Sequence, residues 1–233
     1  GADALRWYFY AADPEQPSRF SARLVREAAQ GLLLPLWNAA SFFSIYARID
    51  GWHPGGAAGV PLAERTDLDR WILLRLDEAL GEVTRLLEGY GIAEPARRLE
   101  RFVDDLTNWY IRRSRERFWA GNPEGRDKES ACQTLYEVLT TLVRLLAPFT
   151  PFVAETLHGH LVRSQDPGAP ASVHLESWPE PRGWLDELGE SGRGEALGLV
   201  EAMALAQRVV GLGRAARAAH DLKTRQPLAA VTL

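Results

Sequence analysis

Seven arginines fall between Arg97 and Arg117 against four acids, Glu100, Asp104, Asp105 and Glu116, a local charge of +3 on a 233-residue chain whose net charge is -4. Four of them, Arg112, Arg113, Arg115 and Arg117, stand among Asn108, Trp109, Tyr110 and Trp119. A guanidinium fork grips phosphate oxygens bidentately, and an aromatic plane beside it receives an unstacked base for roughly 1 to 3 kcal/mol. Single-stranded RNA suits such a surface. A solvated helix whose arginines pair with neighbouring acids has the same composition, and charge pattern alone leaves both open. A second basic segment holds Arg208, Arg214, Arg217, Lys223 and Arg225 against Asp221, and reads equally as an exposed helix end favoured by the macrodipole. Trp37, Asn38, Phe42, Phe43 and Tyr46 form a further aromatic patch, part of which must be core.

Other chemistry is scarce. No phosphate loop, dinucleotide fingerprint, nucleophile elbow or paired zinc-ligand motif occurs. His158 and His160 are two apart on an expected helix and face different directions, which favours packing over metal binding. No catalytic residue and no metal site is therefore expected. The single cysteine, Cys132, forms no internal disulfide, sits among Ala131, Leu135 and Val138 as an inert core thiol, and suits the cytoplasm. No uninterrupted apolar run reaches the length of a membrane span, and no signal-peptide pattern opens the chain. With 46% hydrophobic and 25% charged residues the composition is that of a globular protein and excludes collagen, bulk disorder and a disulfide scaffold. Met203 is the only methionine, so the chain reads as a piece of something longer.

Apolar residues recur at three- and four-residue spacing, which predicts an all-α helix bundle. The first helix covers Ala2 to Ala12 and is stopped by Asp13-Pro14-Glu15-Gln16-Pro17. A second begins near Ser21 and reaches about Ile49, kinked at Pro35, before a loop from Asp50 to Pro61. Thr66 and Asp67 cap a third, which carries Leu68, Trp71, Ile72, Leu76, Leu80, Val83 and Leu87 and ends at Gly89 and Gly91. A fourth spans about Ala93 to Trp119 and stops at Gly121-Asn122-Pro123; a fifth spans Asp127 to Leu146, and a sixth Phe152 to Val162. Ala171 to Trp178 reads as a short strand or a connector. Seven acids and several glycines between Glu176 and Glu201 predict a solvated hinge before a last helix, Glu195 to His220.

At about 100° per residue, Leu99, Phe102, Val103, Leu106 and Tyr110 form the core face of the fourth helix, and Arg113 and Arg117 continue that stripe. Asn108, Arg112, Arg115 and Trp119 line the opposite face. Arginine is rarely buried alone, so the last turns either project past the core or meet an anion.

Several segments carry a resemblance, in order along almost the whole chain. They include Gly1-Ala2-Asp3-Ala4-Leu5-Arg6-Trp7-Tyr8, Leu36-Trp37-Asn38 with Ser41-Phe42-Phe43, Ile49-Asp50-Gly51, and Leu68-Asp69-Arg70-Trp71-Ile72-Leu73. Phe102-Val103-Asp104-Asp105-Leu106, Asn108-Trp109-Tyr110-Ile111-Arg112-Arg113-Ser114-Arg115, Phe118-Trp119, Leu146-Ala147-Pro148-Phe149-Thr150-Pro151-Phe152, Val173-His174-Leu175-Glu176 and Arg225-Gln226-Pro227-Leu228 continue them. Together they resemble the anticodon-binding region of class I isoleucyl-tRNA synthetases. The opening and the Ala-Pro-Phe-Thr-Pro-Phe segment are shared with valyl and leucyl relatives, whereas Trp37-Asn38, Ser41-Phe42-Phe43 and Ile49-Asp50-Gly51 favour the isoleucyl branch.

The resemblance implies a helix bundle of the class I synthetase anticodon-binding type, with at most a short extended segment. Residues 1-14 would join a catalytic core, 15-178 would form the bundle, and 179-233 would be hinge, last helix and the start of a further domain. The parent enzyme ligates isoleucine to its tRNA with ATP and Mg in its catalytic core. Neither signature, His-Ile-Gly-His or Lys-Met-Ser-Lys-Ser, occurs in this sequence, so no cofactor and no activity are expected of the chain alone. Carried over, Trp37, Asn38, Asn108, Arg112, Arg113, Arg115, Arg117 and Trp119 would face the anticodon stem-loop of isoleucine tRNA, with Arg6 as a weaker contact to the inner tRNA backbone. A cytoplasmic monomer without DNA or membrane partners is expected. The alternatives are the same domain of a valyl or leucyl enzyme, and a helical scaffold whose arginines meet an acidic protein.

Overall fold

Serine and threonine caps open two of the helices, at Ser21 and Thr66. The computed structural model describes residues 1–13, 20–55, 59–119, 125–228 and 230. Helix α1 is Ala2–Ala11. Ser21 accepts the Leu24 N–H at 3.2 Å and opens α2, Ala22–Gly31. The chain breaks at Leu32 and resumes as α3, Leu33–Asp50. Pro35 donates no N–H and its ring would collide with the carbonyl four residues back, so the expected kink is a full interruption, three residues upstream of the proline. Gly51, left-handed at φ 62, closes α3.

Thr66 caps α4, Asp67–Glu88, and α5 is Ala93–Asp104. The expected fourth helix is continuous but not uniform: a π-helical segment, Asp105–Ile111, separates α5 from α6, Arg112–Phe118. Helix α7 is Arg126–Leu146, and α8, Pro151–His158, runs into a π-helical turn, Gly159–Arg163. The 171 to 178 segment is a connector with one 3-10 turn, Val173–Leu175, and no strand occurs among the described residues. The proline stops at Pro14 to Pro17 and Gly121 to Pro123, and most of the run from Leu228 to Leu233, lie outside the described residues.

The acidic stretch expected to be a hinge is docked. The Asp77 carboxylate accepts the backbone N–H groups of Arg182, Gly183 and Trp184 at 3.1, 2.9 and 3.1 Å. Short α9, Trp184–Glu187, buries its tryptophan, and α10, Gly189–Ala219, begins six residues before the expected Glu195 and packs along α4 through Ala196. Its acids face solvent while Ala196, Leu199, Val200 and Met203 pack against the bundle, a pattern that reads as flexible when only composition is weighed. Two stretches, Ala22–Asp50 and Gly192–Ala219, are long and apolar enough to cross a membrane by length and composition. Scattered charges hide them from a search for unbroken apolar runs; in the first, Leu36, Ala39, Ala40, Phe43 and Ala47 are spent on the core.

The core runs through α3, α4, α5, α7 and α8, with Trp71, Ile72, Leu80, Leu99, Phe102, Leu106, Leu135, Leu139 and Leu142 buried. Cys132 belongs to it, and burial pushes its thiol up to about 12, which makes it inert. Charged groups also lie inside, among them Asp3, Arg65, Arg98 and, deepest, Asp69. Asp69, on the first turn of α4, is fully buried and takes a bidentate pair from Arg117 at 2.8 and 2.7 Å. It also accepts the Tyr110 hydroxyl at 2.7 Å, Ser130 Oγ at 2.8 Å and Thr66 Oγ1 at 2.9 Å. Burial pushes its pKa up, but the bonds and charge of Arg117, with the Tyr110 and Ser130 hydroxyls, outweigh this and hold it below the ordinary value.

Asp69→Asn is expected to cost about 3 to 5 kcal/mol in denaturant unfolding, because it removes the buried charge opposite Arg117, whose other acidic partner among the described residues, Asp127, is half-exposed. The folded pKa lies below the unfolded value of about 3.9, so the Asp69 contribution is complete above that pH and lost as pH falls through the folded value. Acid titration of stability should therefore be shallower below pH 4 in the variant than in the wild type.

Candidate nucleic-acid interface

Helix α3 turns its small and apolar residues at three- and four-residue spacing into the bundle, which leaves Trp37 and Asn38 outside. Trp37 is 41% exposed and stands at the rim of a groove of about 670 Å³ between α3, α7 and the π-helical turn after α8. Trp52, Tyr136 and Phe43 form its aromatic floor, and Ser41, Arg48, His160 and Gln165 are among its polar walls. The three floor rings lie 5.5 to 5.9 Å apart in edge-on and tilted contacts, so the floor is a fixed aromatic surface. A flat heteroaromatic ring can stack there and still meet hydrogen-bonding groups at its edge.

On the other side of α3, Phe42 touches Tyr46 at 4.9 Å and Phe118 of α6 at 5.2 Å. The Arg115 guanidinium lies over the Phe42 ring, 5.9 Å from its centre. Since Asn38 precedes Phe42 by one turn, Arg115 and Asn38 share one edge of the bundle. Arg112 and Trp119, at three- and four-residue spacing from Arg115, are exposed with it, and Trp119 ends α6 at 50% exposure.

The π-helical segment decides which arginines face out. A regular helix carries the buried stripe from Tyr110 to Arg113 and Arg117, whereas the wider turn shifts the phase so that Tyr110, Ser114 and Phe118 are buried. Arg113 is thereby moved from the expected core stripe to the surface. Its guanidinium lies flat on Trp109, 3.3 Å from the ring centre, and donates to the Asn108 and Trp109 carbonyls at 3.4 Å each. Burial lowers its pKa, and the nearby charges of Arg112 and Arg214 lower it further.

Three of the expected contacts have other tasks. Arg117 turns inward: beyond Asp69 it binds the Asp127 carboxylate at 3.0 and 3.1 Å, so its fork is filled by protein oxygens and is not a phosphate contact. Arg6 donates to the Phe149 and Pro148 carbonyls at 3.1 and 2.9 Å and ties α1 to the corner before α8. Asn108 is exposed, but its amide donates to Asp104 at 2.6 Å within the same helix. Asn38, Arg112, Arg115 and Trp119 remain exposed on one edge, and Trp37 stands at the groove on the other side of α3.

Sequence reasoning missed the groove. Trp52 and Tyr136 come from a loop and a helix that no pattern links to Trp37, and the two-residue spacing of His158 and His160, which fits surface or inter-helix packing, carries no sign of a groove. His158 is indeed buried, 2.9 Å from Glu176, whereas His160 is exposed at the groove wall.

A family described as the anticodon-binding domain of tRNA ligase matches residues 69–232. The chain belongs to this family. Isoleucine–tRNA ligases are similar over nearly all of it: that of Deinococcus radiodurans is 47% identical over 99% of the chain, and that of Thermus thermophilus 46% identical over 98%. That of one Dehalococcoides mccartyi strain is 47% identical over 99%. The chain spans about a fifth of each relative's length, 20%, 21% and 22% respectively. Arg117 points inward to Asp69 and Arg115, two residues earlier, points outward over Phe42.

Substitution separates them. Arg112→Ala and Arg115→Ala should leave unfolding within about 0.5 kcal/mol of wild type, whereas Arg117→Ala should lose about 3 to 5 kcal/mol in the same denaturant titration.

Proposed function

We propose that the bundle holds the anticodon stem-loop of isoleucine tRNA, with loop bases received by the Trp37 groove and backbone phosphates by Arg112 and Arg115. The observation that carries this is the adjacency of the two: a stacking surface with polar walls opens on one side of α3, and Arg115 lies against its other side over Phe42. Arg112 and Arg115 make no ion pair among the described residues, unlike Arg65, Arg75, Arg98 and Arg117. Names of the relatives and the Trp37-Asn38 and Ile49-Asp50-Gly51 residues support isoleucine over valine or leucine.

On this proposal the parent enzyme ligates isoleucine to its tRNA in the cytoplasm as a monomer. Its ATP and Mg lie in a catalytic core whose two signature motifs this sequence lacks. Residues 1-14 join that core, 15-178 are the bundle, and 179-233 lead toward a further domain, with the docked α9 and α10 bracing the bundle on the way.

Trp37→Ala and Arg115→Ala are expected to weaken binding of full-length polypeptide to isoleucine tRNA by about tenfold each, as loss of one stack or one charged contact requires. For Trp37→Ala the loss should shrink on an anticodon-swapped transcript, and for Arg115→Ala it should be equal on both. Unchanged affinity in both variants, with folding intact, would remove this edge from the interface.

A further inference from the structure

A second cavity, of about 430 Å³, shares Trp52 and Tyr136 with the Trp37 groove, so the two rings form a wall common to both. That wall is rigid: the rings lie 5.5 Å apart, and Trp52 Nε1 donates to Glu129 at 3.0 Å. Trp184 of α9 and Arg182 just before it also line the cavity, and Asp77 of α4 holds the backbone N–H groups of both. The Arg182 guanidinium lies over the Trp184 ring, 4.7 Å from its centre, on a side chain that is 63% exposed. It reaches Glu137 only at 3.8 Å, and the Glu137 oxygens already accept Arg65 at 3.1 and 3.2 Å.

Two polar groups of this cavity are unfinished. Trp184 is 3% exposed, and its Nε1 is buried without a hydrogen-bond partner among the described residues. A buried N–H left unmade is costly and rare in native proteins, and a ligand that accepts from it recovers that cost. Glu187, exposed and also lining the cavity, accepts the Leu62 N–H at 3.4 Å through one oxygen, and its other oxygen accepts nothing among the described residues. The cavity therefore combines a free N–H donor, a free carboxylate acceptor, an aromatic wall and an exposed guanidinium plane.

Resting on the RNA reading above, we propose that this cavity receives a second unstacked base of the bound loop, the neighbour of the base in the Trp37 groove, with Trp52 and Tyr136 as the partition between them. The Arg182 guanidinium, which covers Trp184 in the free protein, moves onto the entering base and stacks on it. Trp184 Nε1 then donates to a ring nitrogen or carbonyl oxygen of the base, and Glu187 accepts from a neighbouring N–H. A nucleobase edge carries a donor beside an acceptor, which is the pattern these two groups complete. A phosphate is disfavoured, because Glu137 and Glu187 would repel it.

The test measures affinity of the full-length polypeptide for isoleucine tRNA transcripts that each lack one anticodon-loop base. Arg182→Ala keeps the backbone bonds to Asp77 and should weaken binding of the intact transcript roughly fivefold to tenfold. On the transcript without the base that enters the cavity it should cause no further loss, and on the others it should keep its full effect. Trp184→Phe, which removes the N–H and keeps a ring, should couple to that same position, and Trp37→Ala to the adjacent one. An Arg182→Ala loss equal on every transcript would mark a phosphate contact and overturn the second base site, as would coupling of Arg182→Ala and Trp37→Ala to one base. Wild-type affinity in Arg182→Ala and Trp184→Phe, while Trp37→Ala still weakens binding, would overturn it and leave the groove standing. Absence of tRNA binding by the wild type would overturn both.

Discussion

A buried carboxylate organises this bundle. Asp69 stays ionised inside the core only because four side chains from three directions satisfy it: Arg117 from α6, Tyr110 from the π-helical segment, Ser130 from α7 and Thr66 from its own cap. Those bonds tie α4, α6 and α7 at one point. They also fix the rotation of α6, since Tyr110 and Arg117 must reach the same carboxylate from seven residues apart. With that rotation set, Arg112 and Arg115 face solvent, Arg113 lies on Trp109, and Phe118 meets Phe42 of α3.

Much of this was legible in the sequence. Thr66 and Ser21 mark their helix starts, and the stripe Leu99, Phe102, Val103, Leu106 and Tyr110 is buried throughout. Similar chemistry hid the rest. Nothing in the sequence distinguishes Arg117 from Arg115, because the difference is a carboxylate 48 residues away in the chain. A π-helical turn leaves no periodicity signal of its own, so a uniform 100° step placed Arg113 inward. The stretch after Glu176 carries acid and glycine on its outer face, which reads as a hinge until Asp77 is seen to hold its backbone. The groove beside Trp37 draws on α3, a loop, α7 and the turn after α8, and only the fold brings them together.

The division of arginines explains how an acidic chain can present a basic surface. Arginines near the core carry acidic partners and hold helices together, whereas Arg112 and Arg115 at the α3–α6 edge make no ion pair among the described residues. Electrostatic attraction for a polyanion depends on where the unneutralised charges stand, and the net charge says little about it. Rigidity matters as much. Arg113 is held on Trp109 and Arg115 lies over Phe42, so less side-chain entropy is lost when a ligand arrives.

The central claim is that RNA lies along α3 and α6, and amide hydrogen exchange of the full-length polypeptide with and without isoleucine tRNA tests it most directly. Slowed exchange is predicted in residues 36–48, 112–119 and 159–165, with no change in α1 and α2. Protection confined to other regions, or none in these three while tRNA is bound, would contradict the account.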